Sequence, residues 1–570
     1  MEFELNLSLK ELKMRTSKIR LKRLKMLDTE SKEFQKLNET QKQILAHLVC
    51  ASKYIEIAYY RMENKHNLEF QQYLKKEIEK GNEQARLTSI LYYAQKSMFS
   101  PDNDGNFIEL VKNIKAPFAC NFYPQDLTVT EFHKILNKML DENKVDEVQK
   151  ILTQHTIVER KNDELVGIEY VDYFKPEFSK AGKELSQASN LCPETKLGEF
   201  LNYQALALTQ NDQNLDCIAD TLWAKLDDKI EFTVVRESYN DPMTESLSNN
   251  QELQERLKQN DIKFYAKDTL GARVGLVNEK GTKFLHENKK IISIIAKNMP
   301  DLDKFTQAIN ENNDKQNSVD VDIIYLAGGV GACQCGVTEA ENLPNDDKLS
   351  FITNGYRKNE YHRQIRKQRR TKVINKILCT EQLEYFNTEA DHWGVICHEN
   401  THTLGPKNVK LGQYTAIIEE NKADMGALAF TPELQKAGIF TEHQCKQILC
   451  SYLLPYFTKS KPHSLAQAHA VQRVMIMHKM LVGGAITFNQ EEKVVFDFPK
   501  VSNIAKEMMK ELIEIQLSNS SKKAEEYINK HFIWTDDMEK MAVILRKNSK
   551  VLNLALIENL KDYLLTYKAN

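Results

Sequence analysis

The 570-residue sequence predicts an α+β protein that is predominantly α-helical. Three observations predict this. Gly (20) and Pro (13) are scarce, and long stretches are rich in Lys, Glu, Leu, Ala and Gln, which lose little on entering a helix. Strand-like alternation is confined to a central tract and one later run. No internal repeat or low-complexity tract points to a solenoid or a disordered chain.

Taken in order, residues 1 to about 225 read mainly as helix. From Thr40, QKQILAHLVCASKYIEIAYYRM carries apolar groups at helical spacing. NFYPQDLT (121–128) reads as a turn that leads into a helix over Thr130 to Leu140. Between about 228 and 285 the pattern changes, and KIEFTVVRESY and ARVGLVNE alternate like strands. VDVDIIYLA (319–327) is a third strand-like run, and from about 371 helical patterns return. GGVGACQCG (328–336) follows a strand but has Gln334 where a dinucleotide fingerprint needs Gly, so it reads as a tight loop. RKNEYHRQIRKQRRTK (357–372) reads as a solvated helix face, since no aromatic platform accompanies it.

Composition bounds the function. Apolar residues make up 41%, charged residues 28%, and the net charge is -2. That is ordinary for a globular chain and calls for neither nucleic acid nor a membrane surface. At roughly 150 residues per domain the length suggests two to four structural units. The N-terminus lacks a secretory apolar segment, and no run approaches the ~18 apolar residues a spanning helix needs, so the expectation is a cytoplasmic chain. Ten Cys are scattered without a CxxC, which argues for reduced, buried thiols, and the CxC of Cys333 and Cys335 has no second pair beside it.

The chemistry concentrates in NTEADHWGVICHENTHTLGP (387–406). Thr388 is the expected cap, Asp391 suits the first turn, and Gly405-Pro406 ends the helix. Within it lies an HExxH, His398-Glu399-Asn400-Thr401-His402. Residues i and i+4 share a helix face, so both imidazoles can reach one ion. Glu399 is rotated by about 100°, near that ion but not necessarily on it, where a carboxylate can take a proton from the attacking water. The next helix, TAIIEENKADMGAL (415–428), offers Glu419, Glu420 and Asp424. Catalytic zinc takes three protein ligands, and a glutamate eighteen residues past His402 is a natural third. The neighbouring carboxylates can accept the free N–H of each histidine.

This helix pair resembles the dipeptidyl peptidase III family of zinc exopeptidases, in a bacterial-type form with a five-residue HExxH. The family's motifs are HExxGH and EExxA(D/E), matched here by His398 to His402 and by Glu419-Glu420-Asn421-Lys422-Ala423-Asp424. Phe122-Tyr123-Pro124 with Asp126, Glu237-Ser238-Tyr239 with Asp241-Pro242, Asn342-Leu343-Pro344-Asn345, and Gln467-Ala468-His469 with Arg473 resemble further family segments in order. The match runs from about 120 to 475. A five-residue motif keeps i, i+4 geometry in a regular helix, whereas the six-residue form common in the family needs a bulge. The chain is also shorter than the long eukaryotic members.

The resemblance implies one Zn2+ per chain, held by His398, His402 and Glu420, with Glu419 and Asp424 steadying the histidines. It implies Glu399 as general base, Tyr239 and His469 as catalytic partners at the developing oxyanion, and Glu237, Asn342, Asn345 and Arg473 as substrate-binding residues. The implied activity is release of dipeptides from the free N-terminus of short peptides, by a monomer or homodimer. The rivals are a zinc endopeptidase, a single-residue aminopeptidase and an inactive peptide-binding homologue. The implied architecture is two lobes around a wide cleft. One is a mixed lobe with a small β-barrel, residues 1–255 with 325–370 and 515–570 returning to it. The other is the helical zinc lobe, 256–324 and 371–514.

Overall fold

A computed structural model describes residues 2–18, 32–95, 97–101, 107–162, 164–238, 241–305, 319–329, 340–343, 352–358, 370–407, 409–462, 465 and 467–548. The described residues fall into two compact units. One takes in those up to Leu276 together with 323–329, and the other takes in 277–322 and 340–548. Most of the chain is helix, and among the described residues no helix is long and apolar enough to cross a membrane.

In the first unit, helix α1 (Glu39–Glu63) starts where Asn38 and Gln41 cap each other's backbone N–H groups. It buries Ile44, Leu48, Ile55 and Tyr59 and packs on α2 (Lys175–Asn190), which packs in turn on α3 (Lys196–Thr209). Strands β1 (Thr156–Lys161) and β2 (Glu164–Glu169) form an antiparallel hairpin inside the stretch that the sequence reads as mainly helical. Its turn runs through Asn162 at φ 57°, a left-handed conformation that Asn tolerates. The strand-like tracts become β3 (Ile230–Ser238), β4 (Asp268–Val277) and β5 (Asp320–Gly328), side by side in that order, with β3 antiparallel to β4.

The second unit contains the short antiparallel pair β6 (Ala340–Leu343) and β7 (Ile352–Lys358). The expected small β-barrel is corrected here. Among the described residues β3 has β4 as its sole strand neighbour, so that edge of the sheet is open and no barrel closes. Arg357 and Lys358 lie in β7 rather than on a helix, while residues 359–369 of the basic segment lie outside the described residues, as do Cys333 and Cys335.

The core of the second unit is built on five helices: α4 (Thr388–His402), α5 (Thr415–Ala429), α6 (Glu442–Leu453), α7 (Ala468–Val482) and α8 (Phe498–Ser518). Helix α5 packs against α4, α7 and α8, and α4 also packs against α6. Ile417, Ile418, Met425 and Leu428 of α5 are fully buried, each worth about 1.5–3 kcal/mol. Asn421, Lys422 and Asp424 are buried on this helix too, so their polar groups require partners.

Candidate metal centre

Helix α4 is capped by Asn387, one residue before the expected Thr388. The Asn387 side chain accepts from the Glu389 N–H at 3.0 Å, because an Asx side chain reaches N2 without disturbing the first turn. Its start is tied to α6, since the Asn387 N–H donates to the Ser451 hydroxyl at 2.7 Å. Arg370 donates to Asp391 at 2.7 Å beside the same end. The helix then stays regular to His402, so His398 and His402 project from one face with ring centroids 4.7 Å apart.

His398, His402 and Glu420 offer one ligand atom each, all within 4.8 Å of one another. The two Nε2 atoms are 3.1 Å apart, and Glu420 Oε2 lies 3.4 Å from that of His398 and 3.8 Å from that of His402. Tetrahedral ligands about 2.0–2.1 Å from one zinc ion stand about 3.3 Å from each other, so these spacings fit. The tautomers fit as well. His398 Nδ1 is 2.7 Å from Asp424 Oδ1, and His402 Nδ1 is 3.0 Å from Glu419 Oε1. An ionised carboxylate has no proton to give, so each Nδ1 carries one, and it is the neutral form of each ring that would turn an Nε2 lone pair inward. The two Nε2 atoms and Glu420 Oε2 thus converge on one point. That donor set suits a divalent cation.

The local charges sharpen this. Burial pushes the Glu419 carboxyl up, but the Lys422 ammonium and His402 overcome it and hold it at about 2. Burial likewise opposes Glu420, whose neighbours His469, His402 and His398 keep it well below the carboxylate range. Asp424 is lowered against its burial by His398, Tyr452 and Tyr456. His398 is raised well above the usual histidine value, because Asp424 and Glu420 outweigh its burial. Three deprotonated carboxylates around two imidazoles form an anionic pocket. Cys397, next to His398, is fully buried, and burial pushes its thiol up to about 12.

Glu399 follows His398 on α4 and is partly exposed. His469, on α7, places Nδ1 3.2 Å from Glu420 Oε2, and its pKa is raised because the Glu420 charge outweighs its burial. Arg473, one turn on, lays its guanidinium 5.2 Å from the Tyr456 ring centroid. Glu237 lies on β3 opposite Thr269, and Asn342 on β6 opposite Thr353. Tyr239 and Asn345 lie outside the described residues. Sequence reasoning missed four partners of the histidine carboxylates. Lys422 and Gln516 each donate to Glu419 at 2.8 Å, and the Tyr452 and Tyr456 hydroxyls each donate to Asp424 at 2.6 Å. The sequence carries no signal for Lys422, Gln516 or the two tyrosines, because their burial and partners are set by how the helices pack.

No family model matches the chain, and no curated protein matches it by sequence. Solved structures do match. DPP III from Caldithrix abyssi superposes with a TM-score of 0.74 at 21% identity, over 93% of this chain and 96% of that one. Dipeptidyl-peptidase III from Corallococcus sp. strain EGB gives 0.75 at 18% identity, over 97% and 98%. Along nearly its whole length, the chain therefore has the fold of dipeptidyl peptidase III structures, the family its motifs resemble.

Proposed function

We propose that this chain is a zinc-dependent dipeptidyl peptidase that releases dipeptides from the free N-terminus of short peptides. The observation that carries the reading is the convergence of His398 Nε2, His402 Nε2 and Glu420 Oε2 within 3.1–3.8 Å, with Glu399 next to the first ligand. The fold shared with two dipeptidyl peptidase III structures supports it.

In this reading His398, His402 and Glu420 hold the ion. When bound, zinc supplies Lewis acidity, lowering the pKa of water to about 7 and polarising a carbonyl. Glu399 takes a proton from the attacking water and delivers it to the leaving amine. His469 and Tyr239 donate toward the oxygen that gains charge. Glu237, Asn342 and Asn345 grip the substrate ammonium, and Arg473 contributes to substrate binding. An exopeptidase needs such a clamp, because a charge held at a fixed distance from the reacting centre counts off two residues.

The test is a tetrapeptide offered with a free and with an acetylated N-terminus to zinc-loaded protein, with products identified by mass spectrometry. Dipeptides from the free form alone are expected. Equal cleavage of both would overturn the ammonium clamp, internal fragments would mark an endopeptidase, and single amino acids an aminopeptidase. Binding without turnover would mark a peptide-sequestering protein. Glu399→Gln should lower kcat by at least about 100-fold with zinc content unchanged.

A further inference from the structure

The two carboxylates behind the histidines are held by different chemistry. Asp424 is 1% exposed. Its Oδ1 accepts from the Tyr452 hydroxyl at 2.6 Å and from His398 Nδ1 at 2.7 Å, and its Oδ2 accepts from the Tyr456 hydroxyl at 2.6 Å. Both phenols are buried. Tyr452 comes from α6 and Tyr456 from the 3₁₀ turn Leu454–Tyr456 that continues it. The Tyr452 ring fits against Gly394 of α4, where a Cβ would stand 2.5 Å from its Cδ2. Any larger residue at 394 would push the hydroxyl off its target.

Glu419 is held otherwise. It accepts from His402 Nδ1, from the Lys422 ammonium and from the Gln516 amide, and Lys422 also donates to the Leu404 carbonyl at 2.6 Å. An ammonium cancels the charge it touches. A hydroxyl orients a carboxylate and leaves its charge in place.

We infer that Tyr452 and Tyr456 are positioning residues of the metal centre: by clamping both Asp424 oxygens with neutral donors, they aim an uncompensated carboxylate at His398 and make it the more strongly donating histidine. Glu419, offset by Lys422, polarises His402 less. The inference rests on the metal-site reading above. It differs from a packing role, because a phenylalanine fills the same volume but lacks the hydroxyl.

The experiment uses the full chain as wild type, Tyr452→Phe, Tyr456→Phe and the double variant. Zinc affinity is measured by chelator competition, folding by circular dichroism, and ligand field by the visible spectrum after cobalt substitution. Each single variant should bind zinc about tenfold more weakly and the double about 100-fold, with a shifted cobalt spectrum and a native dichroism spectrum. Should the double variant fail to fold, the two singles decide. Folded single variants with zinc affinity within twofold of wild type and an unchanged cobalt spectrum would overturn the clamp alone. A wild type that takes up no zinc would overturn the metal site and the clamp with it.

Discussion

Lys267 is 1% exposed in the first unit, and its ammonium nitrogen sits 2.7 Å from the Ile151 carbonyl and 2.6 Å from the Thr153 carbonyl and Thr156 hydroxyl. Burial pushes its pKa down to about 7, although Asp241, Glu169 and Asp268 pull the other way. In the unfolded chain a lysine keeps its proton to about pH 10.4. Between about pH 7 and 10 the unfolded state thus binds one more proton at this position than the folded state. Stability therefore rises with pH across that window, and the gain is lost as pH falls through 7. Lys267→Met removes this titration. The stability of wild type minus that of the variant should climb by up to about 1.4 kcal/mol per pH unit, read from urea unfolding at pH 7, 8 and 9. A difference that stays flat would contradict the assignment. Nothing in the sequence around Lys267 announces its burial, because the acceptors come from residues more than a hundred positions away. His398 and His402 were legible for the opposite reason: i, i+4 spacing is a property of one helix. Tyr452 and Tyr456 were not, since their value depends on which helix α6 packs against.

At the scale of elements, the candidate metal centre depends on how closely α4 and α5 approach. A Cβ at Gly426 of α5 would meet Thr401 of α4 at 1.9 Å from Oγ1, 2.5 Å from Cγ2 and 2.6 Å from Cβ. Thr401 cannot turn aside freely, being fully buried with its hydroxyl donating to the Cys397 carbonyl at 2.7 Å. On an exposed helix Gly→Ala would stabilise by about 1 kcal/mol. Here the overpacking cost, about 1–3 kcal/mol or more, should win. Gly426→Ala should lower the Tm and, by separating the helix of His398 and His402 from that of Glu420, weaken zinc binding. Thermal melts and a zinc titration check both, and an alanine variant equal to wild type in each would refute the contact. Helix α1 was legible through its 3.6-residue spacing, α4 through its capping residues and Gly405-Pro406 stop, and β3 and β5 through alternation. The hairpin of β1 and β2 was not, because two six-residue strands between helices give too short a period-2 signal. The closed barrel failed for a related reason: alternation marks a strand but does not say whether a sheet's two edges meet.

At the scale of the molecule, the motif matches cross both units, yet His398, His402, Glu419, Glu420, Asp424 and His469 all belong to the second. The chain passes between units inside β4 and β5, alternating strands with no linker-like composition, so nothing in the sequence marks the passage. On the proposed zinc reading, this division sets how the ion should redistribute stability. A ligand that binds only the closed state stabilises it by about 4.1 kcal/mol at 1,000 times its Kd. Opening α4 away from α5 parts His398 and His402 from Glu420 and must release the ion, whereas local opening of α1, α2 or α3 need not. Hydrogen exchange with and without saturating zinc should therefore show amides of α4 and α5 slowed by about 100- to 1,000-fold. Amides of α1 to α3 that exchange by local opening should keep their rates. Buried Lys422 and Asp424 should make the contrast steepest along α5, since without the ion that helix still carries two charges into the core. If zinc left the exchange of α4 and α5 unchanged at that saturation, the ion would not be bridging those helices.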